Sequence, residues 1–300
     1  MMQKKVQIIS DGSLDLSQEL TKEKDIEVVP FYVSFDSETY QKEMVEVGVR
    51  EFYQEMVDHP TVFPKTSMPS VHDYYEVFEK HAKEKMPVIC ICITRKFSGS
   101  LQSATTAKDM ILEEYPDAQI TVIDSTVNTV LQGLYVLEAC RLRDMGLEYQ
   151  QIVDALLPIR ETGRIFFTIG SIDYLKHGGR IGKLAGIAAS ALKIKPLITL
   201  KEGEIFNSGI TRNRLKSMKK VVDMTREYLD EVNAKPGEYS FCIGYGYDHN
   251  EALEFREMLN LVKERLGIDE IGIYQIGATI GVHTGPYPIG IGIIKHALTE

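Results

Sequence analysis

The chain has 300 residues and a formal net charge of −9, with 44% hydrophobic and 26% charged side chains. At roughly 100–200 residues per domain, this length makes one large or two ordinary globular domains, and the composition excludes disorder for the bulk of the chain. The acidic balance excludes broad nucleic-acid binding and a polybasic membrane anchor, which both need a basic footprint.

The first half alternates short apolar runs with amphipathic stretches. Residues 6–10 read as a strand and 26–35 as one or two more. Helices are predicted over 49–59 and 71–85, with Ser70 as N-cap and Pro69 fixing the entry. A strand at 87–94, a helix at 102–115, a strand at 119–124 and a helix at 129–145 follow. Strands separated by helices of this length make βαβ units and a parallel sheet. The run at 88–93 carries Cys90 and Cys92, whose period-2 spacing puts both thiols on one face. With only Cys140 and Cys242 besides, no metal or redox spacing emerges, and the cysteines read as small core hydrophobes.

The second half differs in texture. A helix at 148–161 and a short strand at 164–169 lead to the Gly178-Gly179 break. The stretch 181–192 looks helical but is rich in Ala and Gly. Residues 196–201 and 204–210 form a hairpin around Glu202-Gly203. A long helix over 212–232, a strand at 239–245, a helix at 251–266, a strand at 270–276 and a Gly-rich final strand complete the chain. Hairpin and crossover together imply a mixed sheet, hence a second domain; the boundary is set at 1–161 and 162–300. No run approaches the roughly 18 apolar residues that span a bilayer, and no apolar signal segment follows Met1, so a cytoplasmic protein is expected.

Three predicted strands end in small polar residues: Asp11-Gly12-Ser13, Ser98-Gly99-Ser100 and Asp124-Ser125-Thr126. In open α/β sheets ligands bind beyond the carboxyl ends of strands, where hydroxyls and backbone N–H groups receive a carboxylate or phosphate. The same residues also serve as helix caps. Several enzyme signatures fail. Walker A is broken at His177 and Leu184, the nucleophile elbow lacks a glycine at Lys96, and no His-Glu-x-x-His occurs. A serine hydrolase or acyltransferase using Ser98 or Ser125, with His283 as base and Asp11 or Asp124 behind it, stays open on residue types alone. A phosphate or nucleotide sensor would need a phosphate loop, which is absent.

An ordered set of short segments runs through nearly the whole chain: Asp11-Gly12-Ser13-Leu14-Asp15-Leu16, Lys65-Thr66-Ser67-Met68-Pro69-Ser70, Phe97-Ser98-Gly99-Ser100, Val122-Ile123-Asp124-Ser125, Leu175-Lys176-His177-Gly178-Gly179-Arg180-Ile181, Ile194-Lys195-Pro196 and His283-Thr284-Gly285-Pro286. In this order they resemble the DegV family of bacterial fatty-acid-binding proteins. The resemblance implies an α/β fold of two domains: an α/β/α N-terminal domain with a parallel sheet and a smaller α/β C-terminal domain with a mixed sheet. It implies a long-chain fatty acid enclosed between them, with no cofactor and no catalysis by this chain. It further implies a carrier subunit of fatty acid kinase, which presents the carboxylate to a separate ATP-using subunit and so feeds phospholipid synthesis. Transient contact with a membrane surface goes with that role.

Carried over position by position, the head-group hydroxyls match Thr66 and Ser98, and the cationic and imidazole partners match Arg180 and His283. Gly12, Met68 and Ser100 depart from the residues usual in the family, which leaves the Asp11 loop without an assigned role. The small-residue stretch 181–192 is expected to line the lipid pocket and to move when lipid is exchanged.

Overall fold

The structure is a computed structural model and describes residues 6–188 and 194–298. In chain order the strands of the first half are β1 (Gln7–Asp11), β2 (Ile26–Val29), β3 (Tyr32–Ser34), β4 (Gln41–Lys42), β5 (Lys65–Ser67), β6 (Val88–Cys92) and β7 (Ile120–Asp124). Those of the second half are β8 (Arg164–Thr168), β9 (Lys195–Lys201), β10 (Glu204–Thr211), β11 (Tyr239–Tyr245), β12 (Gly272–Gln275) and β13 (Ile289–Lys295).

The first half builds a parallel sheet in the order β2-β1-β6-β7. Its inner strands are buried along their whole length, which is why they read as unbroken apolar runs. Alternation sorts their side chains between two cores. Ile9, Cys90 and Cys92 face helices Val71–Lys83 and Ser100–Glu114, while Ile8, Ile89 and Ile91 face helices Thr129–Asp144 and Tyr149–Ile159. Cys90 and Cys92 thus share a face, their sulfurs 3.8 Å apart. Ser70 caps its helix as expected, accepting from Asp73 N at 3.1 Å while Asp73 accepts from Ser70 N at 2.7 Å. A small antiparallel sheet, β4-β3-β5, stands beside the parallel one.

The second half forms a six-stranded mixed sheet, β10-β9-β8-β13-β11-β12, antiparallel except for the β11–β12 pair. The hairpin between β9 and β10 turns at Glu202 (φ 53°) and Gly203 (φ 79°), the left-handed pair a two-residue hairpin needs. One face of this sheet packs on helices Arg214–Glu231 and His249–Met258. The other shares its core with helix Thr129–Asp144, so that helix lies between the two sheets. It is buried on most sides, which explains its weak amphipathic pattern.

The predicted helix over 251–266 divides at Leu259 into His249–Met258 and Asn260–Leu266. The stretch 181–192 becomes a 3-10 turn, Gly182–Leu184, and a single helical turn, Ala185–Ala188; the rest of that expected lid lies outside the described residues. Helix Ala278–Thr284 had no counterpart in the sequence reading. Among the described residues no helix is long and apolar enough to cross a membrane.

Candidate functional site

Four segments converge where the small sheet, the parallel sheet and the mixed sheet meet. Thr66 is the middle residue of β5, paired across the ladder with Val33. Ser98 lies in the turn after β6, and its Oγ accepts from Ser100 N at 3.2 Å, which satisfies one of the free N–H groups opening helix Ser100–Glu114. His283 lies in the last turn of helix Ala278–Thr284, ended by Gly285 at φ 76°. Arg180 follows the Gly178-Gly179 break, where Gly179 adopts φ 66°.

These four side chains line one cavity of about 280 Å³. Thr66 Oγ1 lies 3.3 Å from His283 Nε2. Arg180 donates through Nε to Phe97 O at 3.1 Å and through Nη1 to Gly178 O at 2.8 Å, tying the Ser98 turn to the glycine turn of the second half. Gly178 is required by the imidazole: a β-carbon there would stand 2.1 Å from His283 Nδ1. Among the described residues that buried Nδ1 has no hydrogen-bond partner. Burial, and secondarily the charge of Arg180, hold the imidazole down at about 4, so His283 is neutral at neutral pH. A neutral ring offers one donor and one acceptor.

The cavity wall joins these polar groups to apolar side chains. Phe31, Ile93, Phe167, Leu175, Leu200 and Ile280 form its interior walls. Phe167, Ile280, Thr284 and Asn128 also border a further, almost entirely apolar space of about 40 Å³ lined by Ile165, Ile276 and Ile289. At the opposite end, beyond Ser98 and Arg180, lies a surface bowl of about 520 Å³ lined by Arg95, Lys96, Lys183 and Glu204. For scale, an apolar cavity of roughly 150 Å³ takes a benzene-sized molecule. Cationic mouth, hydroxyl–imidazole collar and apolar interior make a site shaped for an anionic head on a long hydrocarbon.

The three polar strand ends divide. The Ser98 turn reaches the cavity, and the segment after Asp124 reaches it through Asn128. The Asp11 loop does not border it. Asp11 is fully buried, accepting from Gln132 Nε2 at 2.8 Å, Ser100 Oγ at 2.7 Å and Ile93 N at 2.9 Å. Burial raises its carboxyl while these donors hold it back. It braces the Ser98 turn from behind. Asp124 instead pairs with Arg95 at 3.6 Å and caps Thr126 N, and Ser125 Oγ donates to Val127 O at 3.0 Å. Neither aspartate is hydrogen-bonded to His283 among the described residues, so a hydrolase triad is not assembled.

The sequence reading missed Asn128, Thr279 and Ile280. Thr279 stands four positions and Ile280 three before His283, on the same helix face, a signal usable only once that segment is known to be helical. Met68 was seen only as a departure; it lines the cavity, with its sulfur packed 2.6 Å from where a β-carbon on Gly99 would lie.

The model of the DegV family, described as an uncharacterised protein family, matches residues 5–296. The chain belongs to the DegV family. A solved stearic-acid-binding protein from Eubacterium ventriosum is 44% identical with a TM-score of 0.91, over 97% of this chain and 99% of that one. A fatty-acid-binding DegV family protein from Thermus thermophilus is 27% identical with a TM-score of 0.85, over 97% and 99%. A DegV domain-containing protein of Clostridium perfringens is 29% identical over 97% of this chain and 99% of its own length. The parallel sheet of four strands and the mixed sheet of six are those of the two-domain DegV structures.

Proposed function

We propose that this DegV protein binds one long-chain fatty acid between its two α/β units, taken as residues 1–161 and 162–300, and presents the carboxylate to a separate ATP-using kinase subunit for conversion to an acyl phosphate that feeds phospholipid synthesis. The reading rests on one observation: Thr66, Ser98, Arg180 and His283 line one cavity together with Phe31, Ile93, Phe167, Leu175, Leu200 and Ile280. A buried carboxylate is costly unless charge-assisted hydrogen bonds compensate it. In this reading the two hydroxyls donate to the carboxylate oxygens, neutral His283 donates its one N–H, and Arg180 supplies the counter-charge.

Affinity comes from the tail. About 15 methylenes at roughly 0.8 kcal/mol each give on the order of 12 kcal/mol gross, from which ordering of chain and protein subtracts. Binding of this strength asks for no metal and no cofactor. The bowl around Arg95, Lys96 and Lys183 lies outside the collar, where an incoming phosphate and an acidic partner surface would meet complementary charge. We place the protein in the cytoplasm, with transient membrane contact during lipid exchange and no nucleic-acid partner. The Eubacterium relative that binds stearic acid shares 44% of its sequence with this chain, which supports the lipid; the kinase step is carried by the family resemblance. Titration of delipidated protein with a long-chain fatty acid tests the binding and should saturate at one to one. Failure to saturate, or equal affinity for an acid too short to fill the cavity, would reject it.

A further inference from the structure

Away from the collar, two carboxyl groups meet in the core. Asp15 follows the 3-10 turn after β1, and Glu43 follows β4; both are almost wholly buried, at 4% and 1% exposure. A β-carbon on Gly277 would stand 2.4 Å from Asp15 Oδ1 and 2.5 Å from Glu43 Oε1. The two oxygens therefore lie within about 5 Å of each other, inside the range where like charges act strongly. The Gly277 N–H lies against the Asp15 carboxyl, and among the described residues the buried hydroxyl of Tyr53, which acts on the pair from helix Val49–Asp58, has no hydrogen-bond partner. The charges acting on the pair are negative: Glu43 and Asp11 on Asp15, and Asp11 on Glu43. Tyr245 stands further off, beside Tyr53.

Each carboxyl holds a different wall of the lipid cavity. Asp15 Oδ2 accepts from Thr129 Oγ1 at 2.6 Å. Thr129 sits at φ 50°, a strained conformation for a β-branched residue, next to the cavity-lining Asn128. Glu43 accepts from Thr279 N at 3.2 Å and from the Thr279 hydroxyl, and so caps the helix that carries Ile280 and His283. Two buried carboxylates this close disfavour each other's charged form.

We propose that the Asp15–Glu43 pair retains at least one proton near neutral pH and in that state holds the two walls of the lipid cavity in place, so that rising pH loosens the cavity and speeds release of its acyl ligand. The proposal rests on the lipid-binding reading above and assigns the pair a positioning role, since neither residue lines the cavity. Burial raises both carboxyls, Glu43 to about 7 and Asp15, further pushed by Glu43, well above its usual value. Groups raised in this way stabilise the closed form fully below the ordinary carboxylate range near 4, and the stabilisation is lost as pH climbs through their raised values. His283, held near 4, keeps its charge state above pH 5.5.

The test is the release rate of a fluorescent long-chain fatty acid from pH 5.5 to 8.5, with the infrared carbonyl band of protonated carboxyls recorded alongside. Wild-type release should quicken as pH rises, by up to about tenfold per pH unit for each proton exchanged, and the band should fade together with it. Asp15→Asn with Glu43→Gln replaces the pair by amides of the same shape; release should then be flat with pH, and the pH-dependent band should be gone. Should the double variant not fold, Glu43→Gln alone must flatten the slope in part. A wild-type rate constant across the range, or an unchanged slope in the variants, would overturn the proposal. A wild type that shows no protonated-carboxyl band at pH 5.5, with lipid binding intact, would overturn it alone; no binding of the probe at any pH, with the wild-type band present, would overturn the lipid reading beneath it.

Discussion

Replacing Thr66 with valine removes one hydroxyl and keeps the β-branched shape that suits β5. Among the described residues the hydrogen-bond partner of the hydroxyl is His283 Nε2 at 3.3 Å. Its loss should cost the fold no more than about 0.5 kcal/mol, as for a surface change that breaks no structural feature. The ligand's carboxylate loses a donor in a partly desolvated collar. A hydrogen bond to a charged group is worth roughly 1.5–3 kcal/mol, so the dissociation constant should rise by roughly 10- to 150-fold. Calorimetric titration of delipidated protein reads this directly. Ser98→Ala gives the contrast: its Oγ also accepts Ser100 N, so that variant should lose both affinity and about 1 kcal/mol of stability. Unchanged affinity in Thr66→Val, within twofold and with an unchanged melting temperature, would refute the placement of the carboxylate at this collar.

Two further outcomes follow from the site. His283 is held down at about 4 against an ordinary value near 6.5, so its contribution to stability is complete above about 6.5 and is lost as pH falls toward 4. Over that window the His283 contribution should fall by up to about 3 kcal/mol, opposed in the total by the raised carboxyls of Asp15 and Glu43; the difference between wild type and His283→Asn in denaturant titrations isolates it. Incubating the protein with fatty acid and ATP alone should yield no acyl phosphate, with product appearing only when a kinase subunit is added; turnover by the isolated chain would overturn the carrier role.

The parallel sheet was legible because its strands are continuous apolar runs set between amphipathic helices, and the β9–β10 hairpin because Glu202-Gly203 is a local turn signal. Helix Ala278–Thr284 was hidden. Its sequence, with one glycine and four β-branched residues among seven, has poor intrinsic propensity; burial against Phe52 and Tyr53 and the cap from Glu43 hold it instead. The site shows the same divide. Thr66 and His283 are 217 positions apart, and no periodicity connects them; only the ordered family segments put both forward. Glu43 carries no sequence signal because its meaning comes from Asp15 and Gly277 across the fold. The polar strand ends alone do not tell which of them meets the ligand: the Asp11 carboxylate, left without a role by the sequence, accepts from Gln132, Ser100 and Ile93 instead.

The most direct measurement is mass spectrometry of what organic solvent extracts from the freshly purified, then denatured protein, quantified against protein concentration. The account predicts one equivalent of a long-chain fatty acid per chain, lost or reduced in Arg180→Ala. Extraction of no lipid, together with no uptake of added fatty acid by the native protein, would contradict it.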